Sequence, residues 1–322
     1  LPVKKLSDVL ADRTRTGTVT VSLRKSVQQV ARDALGNRKG AVVAMDPTTG
    51  AVLAMWSFPS YDPNPLAGHN QRDVATAWQT LNADAAKPLL PRTYRSRYFP
   101  GSTFKVVTAT AAVERRPDLV GKGYPVLRSL TLPRTTKQLR NFGGSSCGGT
   151  LPVLLQKSCN TGMAAVGLDL GAEALSAEAR DFGFNDRPPL DLPAPARSVF
   201  PDPGAFDRNE PLLAFASIGQ GDVSATPLQM AVVASAIANG GVALEPHVVA
   251  EIRDSEGEVL RTAQPKPWRT VTTPGAADAV KAMMVSVVSS GTGTRAQIPG
   301  ITVAGKTGTA QTVGNSSHAW FI

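Results

Sequence analysis

The 322 residues, 42% hydrophobic and 18% charged, describe a chain long enough for one large domain or two interlocked ones around a substantial core. No apolar run approaches the ~18 residues that a membrane-spanning helix needs, and the opening Leu1-Pro2-Val3-Lys4-Lys5 lacks the apolar centre of a targeting segment. The formal net charge of +9 comes from scattered positions, 34 Lys and Arg against 25 Asp and Glu, without a basic block or interleaved aromatics, which argues against a nucleic-acid partner.

In chain order, residues 1–26 are polar and basic and read as a connecting segment leaving an N-terminal domain. Residues 27–35 predict a short helix. Two apolar strands, 40–45 and 51–56, flank Asp46-Pro47-Thr48-Thr49-Gly50, whose Pro and Gly are turn formers, and predict a hairpin. Residues 57–98, rich in Pro, Asn and Asp, suggest a loop with short helical pieces. Pro100-Gly101-Ser102 then opens a helix to about residue 114, whose body of Val106, Val107, Ala109, Ala111, Ala112 and Val113 is too apolar for the surface.

Residues 124–152 suggest loops carrying Gly143, Gly144, Gly148 and Gly149, followed by helices over 154–170 and 172–182. Thr226-Pro227-Leu228-Gln229 places a capping Thr, a first-turn Pro and a reciprocal Gln at the start of a further helix that Gly240-Gly241 ends. One more helix covers 276–289, and apolar runs at 301–304 and 318–322 predict strands. The two cysteines, Cys147 and Cys159, fit either a disulfide or a pair of buried thiols. His69, His247 and His318 are too dispersed for a metal cluster, and no cofactor is expected.

Three short motifs carry chemistry. In Ser102-Thr103-Phe104-Lys105, residues three apart on one helix face bring the lysine within reach of the serine, and burial would depress the lysine enough to make it a base. The unpaired N–H groups of the helix start favour negative charge developing at Ser102. In Ser158-Cys159-Asn160, the serine can relay a proton and the asparagine can both donate to and accept from an amide. Lys306-Thr307-Gly308-Thr309 follows a β-branched run; its lysine and threonines can line a strand edge while Gly308 admits a substrate backbone, so that a carboxylate-ended peptide can bind as an added strand.

S-x-x-K, S-D-N and K-T-G together are a signature of penicillin-binding proteins and class A β-lactamases, and Ser158-Cys159-Asn160 differs from the second of them in its middle residue, where Cys159 is unusual. The chain resembles the transpeptidase domain of class B penicillin-binding proteins, and within them the penicillin-binding protein A subgroup, from about residue 27 onward. Beyond the three motifs, the likeness rests on the hairpin from Gly40 to Trp56, on Tyr98-Phe99-Pro100-Gly101 ahead of Ser102, and on Ile218-Gly219-Gln220-Gly221 through Gln229. It implies an α+β fold of the penicillin-binding and serine β-lactamase type: an antiparallel sheet flanked by helices, plus a mainly helical lobe.

The implied activity is that of a serine-type D,D-transpeptidase that cross-links peptidoglycan stem peptides ending in D-Ala-D-Ala and is acylated by β-lactams. By position, Ser102 is the nucleophile, Lys105 its base, Ser158 a proton relay and Asn160 a substrate-amide contact. Lys306, Thr307, Gly308 and Thr309 form the substrate-binding edge, and the N–H groups of Ser102 and Thr309 form an oxyanion hole, a device worth about 3 kcal/mol per donor in other enzymes. The resemblance also implies work at the extracytoplasmic membrane face behind a single N-terminal anchor. A membrane glycosyltransferase and the division or elongation machinery are its implied partners. Members of the family continue into a fifth strand and a C-terminal helix, so the C-terminal end of residues 27–322 is expected to be incomplete.

Two incidental patterns are set aside. Residues 300–307 fit G-x-x-x-x-G-K-T, but the strand-like residues occupy the loop itself and no helix follows. Residues 144–148 fit G-x-S-x-G, but no apolar strand leads into them. A serine β-lactamase and a penicillin-binding sensor without turnover are the functional rivals. Two structural expectations remain: export would let Cys147 and Cys159 form a disulfide tethering the loop ahead of the second motif, and the strands of 40–56 and 301–322 should share one antiparallel sheet, to bring Lys306 opposite Ser102.

Overall fold

A computed structural model describes residues 16–207, 209–311 and 317–322. Within the segment read as a connector, β1 (Thr18–Val21) pairs antiparallel with β9 (Val249–Arg253), which also pairs with β10 (Val259–Thr262). Helix α1 (Lys25–Leu35) leads into the expected hairpin, β2 (Gly40–Met45) and β3 (Val52–Phe58), and Asp46 closes its turn by accepting from the backbone N–H of Thr48. Residues 57–98 hold more structure than their composition suggests. Asn70 caps α2 (Gln71–Ala83) by accepting from Arg72 N, and a single turn, α3 (Arg92–Arg95), follows. Helix α2 buries none of its residues fully; only Val74, Ala77 and Leu81, along one side, are half-buried.

The core gathers around α4 (Lys105–Arg115), in which Lys105 to Ala112 are all buried. Phe104, just ahead of it, stacks on Phe200 at 5.3 Å and meets Phe184 edge-on at 5.4 Å. Residues 124–152, expected as loops, contain the short strands β4 (Tyr124–Leu127), β5 (Ser129–Thr131), β6 (Gln138–Arg140) and β7 (Cys147–Gly149), paired β4 with β7 and β5 with β6. Three or four residues per strand leave too little alternation to read.

The helix expected over 154–170 is two, α5 (Leu151–Gln156) and α6 (Asn160–Leu170), followed by α7 (Ala172–Asp181) and α8 (Glu210–Ala216). Helix α9 (Pro227–Ala238) has the expected cap, Thr226 Oγ1 accepting from Gln229 N at 3.1 Å. The reciprocal bond does not form: the buried Gln229 amide instead donates to Phe182 O at 2.7 Å, because that carbonyl is the partner within reach inside the core. Strands β8 (Val242–Leu244) and β11 (Pro267–Thr270) pair, and α10 (Pro274–Ser290) packs against α4, α5 and α9.

The last hairpin is β12 (Thr307–Gln311) with β13 (Ser317–Phe321). The strand expected at 301–304 lies further on, because pairing decides it: residues 302–305 have no strand partner, Gly305 N donates to Met284 O of α10, and the ladder begins with Lys306 against Ile322. The expectation of one sheet built from both chain ends fails. Among the described residues, β2–β3 and β12–β13 are separate two-stranded sheets, and a cleft of about 510 Å³ lined by Ala41, Val43, Ala234, Met284, Trp320 and Ile322 lies between them.

Candidate active site

Ser102 sits in the 3-10 turn Gly101–Thr103 that runs into α4. Gly101 has φ +53°, and a Cβ there would lie 2.6 Å from Thr309 O, so only glycine lets this turn meet β12. Gly308 serves the same contact from the other side. A Cβ on it would come within 2.8 Å of Thr103 Cγ2, so the absence of a side chain at Gly308 lets the Ser102 turn approach β12. Two further bonds fix the turn: Gly101 N donates to Gly219 O at 2.9 Å, and Trp320 Nε1 of β13 donates to Phe99 O at 2.9 Å.

Lys105 is wholly buried one turn beyond Ser102. Its Nζ donates to Ser158 O and to Asn160 Oδ1, both at 2.7 Å, and lies 3.4 Å from Ser158 Oγ. The hydrogen bond to Ser102 that helical spacing suggests does not form among the described residues; the acceptors of the second motif hold the amine instead. Burial, with the positive charge of Lys306 as a second cause, depresses Lys105 well below the ordinary lysine value.

The second motif sits at the break between α5 and α6. Ser158 N donates to Leu155 O and Cys159 N to Leu154 O, the paired bonds of a Schellman ending, with Ser158 at the left-handed position, φ +55°, that glycine normally takes. A helix therefore ends and another begins within three residues. Ser158 presents its carbonyl to Lys105 and its hydroxyl to Lys306, while Asn160 Nδ2 donates to Arg140 O at 3.0 Å. Cys147 and Cys159 are bonded as a disulfide, as expected, tying β7 to the first turn of α6.

Lys306 is also fully buried; its Nζ donates to Ser158 Oγ at 2.8 Å and to Thr307 O at 2.9 Å, and burial lowers it to about 7. Lys306 and Ile322 exchange both backbone hydrogen bonds, so alternation makes Gly308 and Trp320 the next bonded pair. The N–H and C=O groups of Thr307 and Thr309 therefore point away from β13, toward the Ser102 turn. Thr309 O lies against Gly101, so Thr309 and the Ser102 turn are direct neighbours along this edge. Thr309 is exposed and free to meet a ligand.

The eight residues singled out from sequence converge here. Thr292 was not foreseen: its Oγ1 lies 2.5 Å from Thr307 Oγ1, and its N–H reaches Gln156 O, so the loop after α10 joins the third motif to the end of α5. A lone threonine in a loop carries no pattern by which to find it. Among the described residues no group of three or more His, Cys, Asp or Glu could hold a metal ion.

A family model described as the penicillin-binding protein transpeptidase domain matches residues 40–322. The chain is 38% identical to "Peptidoglycan D,D-transpeptidase PbpA" of Mycolicibacterium smegmatis, an alignment covering 99% of this chain and 67% of that protein. Its structure is similar to the crystal structure of PBPA from Mycobacterium tuberculosis, with TM-score 0.88 and 35% identity over 98% of this chain and 74% of the other. It is equally similar, at TM-score 0.88 and 36% identity over 98% and 74% of the two chains, to the imipenem acyl-enzyme complex of penicillin-binding protein A from M. tuberculosis.

Proposed function

The chain belongs to the penicillin-binding protein transpeptidase family, and we propose that Ser102 is the nucleophile of a peptidoglycan D,D-transpeptidase that β-lactams acylate. The observation that carries this is the setting of Lys105, wholly buried one helical turn from Ser102 and held by acceptors of the second motif. In its neutral form, which burial favours, the amine has two N–H donors and one lone pair, and the two 2.7 Å bonds to Ser158 O and Asn160 Oδ1 engage both donors. The lone pair is left for the proton of Ser102, one helical turn away.

In the first half-reaction Ser102 Oγ bonds to the penultimate D-Ala carbonyl carbon and its proton passes to Lys105. The oxyanion meets the N–H groups of Ser102 and Thr309. As the C–N bond breaks, the departing D-Ala amine takes a proton through Ser158, whose hydroxyl joins Lys306 at 2.8 Å to Lys105 at 3.4 Å. In the second half-reaction an amine of a neighbouring stem peptide attacks the ester, its proton leaves by the same route, and Ser102 is restored. Lys306, Thr307 and Thr309 supply positive charge and hydroxyls for the terminal carboxylate, while Asn160 keeps one amide hydrogen for a substrate carbonyl.

We place this chemistry on the extracytoplasmic face of a membrane, where stem peptides are cross-linked and where a Cys147–Cys159 disulfide persists. No helix among the described residues is long and apolar enough to cross a membrane, and the proposal includes an N-terminal anchor outside residues 1–322. A glycosyltransferase that supplies nascent strands, and division or elongation proteins, are the partners this role calls for. Intact-mass detection of a penicillin adduct on the parental chain but not on Ser102→Ala tests the nucleophile. Turnover of a peptide ending in D-Ala-D-Ala, set against a long-lived penicillin adduct, separates a transpeptidase from a β-lactamase and from a sensor.

A further inference from the structure

Helix α6 starts without a cap of its own. Its N-cap position is Cys159, whose sulfur is committed to the disulfide and accepts from the Thr161 hydroxyl but from no backbone N–H of the first turn. Serine, threonine, aspartate or asparagine ordinarily fills that position, because the first N–H groups of a helix have no partners within it. Here the missing acceptor comes from a distant residue. Asn141, buried and following β6, accepts with Oδ1 from Asn160 N at 2.9 Å and from Thr161 N at 3.0 Å.

The other end of the Asn141 amide is equally engaged. Nδ2 donates to Leu127 O of β4 at 2.8 Å, to Ser145 O ahead of β7 at 3.1 Å and to Thr161 Oγ1 at 3.2 Å. The neighbouring carbonyl, Arg140 O, accepts from the side-chain amide of Asn160. Residues 140 and 141 therefore hold Asn160 at two points, by its backbone N–H and by its Nδ2. With Nδ2 held there, Oδ1 faces the other way, onto Lys105 Nζ at 2.7 Å.

We infer that Asn141 is a positioning residue for acylation: it caps α6 in place of Cys159 and so sets the aim of Asn160 on Lys105. Only an amide fits. Aspartate would keep the two acceptor contacts but set an oxygen against Leu127 O and Ser145 O, and alanine would leave two buried N–H groups and two carbonyls without this partner. Asn141 touches neither Ser102 nor the space in front of it, so its effect on chemistry passes through Asn160.

The inference rests on acylation of Ser102. A parental chain that penicillin does not label at Ser102 fails that reading, whereas with a labelled parent the outcomes below concern Asn141 alone. The experiment is the rate of penicillin acylation followed by intact mass, counting only the fraction of protein that labels at completion. Asn141→Ala should lower the rate constant by about tenfold or more, as misplacement of a group that contacts the base does. In an Asn160→Ala background the same replacement should change the rate less than about twofold, because its route of action is gone.

A purely structural Asn141 would lower the thermal midpoint and the fraction that labels, but not the rate constant of that fraction. An unchanged rate constant, or the same loss in both backgrounds, overturns the inference. Asn141→Asp provides the test should the alanine variant not fold. It keeps the contacts to Asn160 N and Thr161 N, so it should acylate within a few-fold of the parental rate while melting at a lower temperature, and a loss of about tenfold or more would refute the role.

Discussion

Lys306 Nζ donates to Ser158 Oγ across 2.8 Å, joining the start of β12 to the α5–α6 break. Burial lowers that amine to about 7, so its charge is present below neutral pH and lost above it. The second-order rate constant for acylation by an anionic penicillin should therefore fall as pH rises through about 7 in the free enzyme. In Lys306→Arg the guanidinium stays charged throughout, so the alkaline limb should disappear even though the overall rate drops. Stability moves the opposite way. The folded value lies below the unfolded 10.5, so the unfolded chain binds more protons between the two, and the contribution of this group to stability grows as pH rises from about 7. A limb that persists in the arginine variant assigns it to another group.

Ser158 separates function from stability at one position. Its φ of +55° is the conformation a Schellman ending demands and glycine adopts without strain, whereas other residues carry a cost of roughly 1 kcal/mol there. Ser158→Gly should therefore be at least as stable as the parent in thermal denaturation. It should nevertheless acylate more slowly by about a hundredfold, because the hydroxyl between Lys306 and Lys105 is gone. Ser158→Ala should lose the same activity without the gain in stability. Parental acylation in the glycine variant would remove the hydroxyl from the mechanism.

The proposed nucleophile, Ser102, and its proposed base, Lys105, are legible in sequence because their spacing and the apolar helix after them are local facts. The geometry of Ser158 is not. A positive φ at a non-glycine residue is imposed by the close of α5, the start of α6 and the two lysines that grip it, none of which is visible at residues 158–160 alone. The apolar β-branched run at 301–304 suggests a strand by propensity, yet β13 pairs with 307–311, since a strand exists only where a neighbour bonds to it. Helix α2 is hidden for another reason: it buries no residue fully, and only Val74, Ala77 and Leu81 on one side are half-buried. Asn141 stands in no motif, and its importance arises only once β4, β6 and α6 meet.

The Cys147–Cys159 disulfide closes a short loop that includes α5 and Ser158. In the chain-entropy model such a closure stabilises by about 3 kcal/mol. The bond also fixes Cys159 between the two functional side chains, so loss of it should act locally as well. The double variant Cys147→Ser with Cys159→Ser should melt at a lower temperature and acylate more slowly even well below its melting range. Penicillin labelling of the fully folded double variant at the parental rate would confine the bond to stability.

Replacement of Lys105 by arginine is the sharpest test of the base. The guanidinium keeps a positive charge at every accessible pH, offers donors to Ser158 O and Asn160 Oδ1, and has no lone pair to receive the proton of Ser102. If the amine only fixed the second motif or supplied charge, arginine would be a tolerable substitute. As a base it is none. Lys105→Arg should lower the acylation rate constant by about a hundredfold to ten-thousandfold, the range general-base catalysis contributes, and should lose stability because a charge that cannot be neutralised now occupies a fully buried site. A parallel Lys105→Met variant, apolar and of similar length, sets the reference: it should restore stability without restoring the rate. Acylation of the arginine variant within a few-fold of the parent, measured by intact mass against time, would mean that the Ser102 proton leaves by another route.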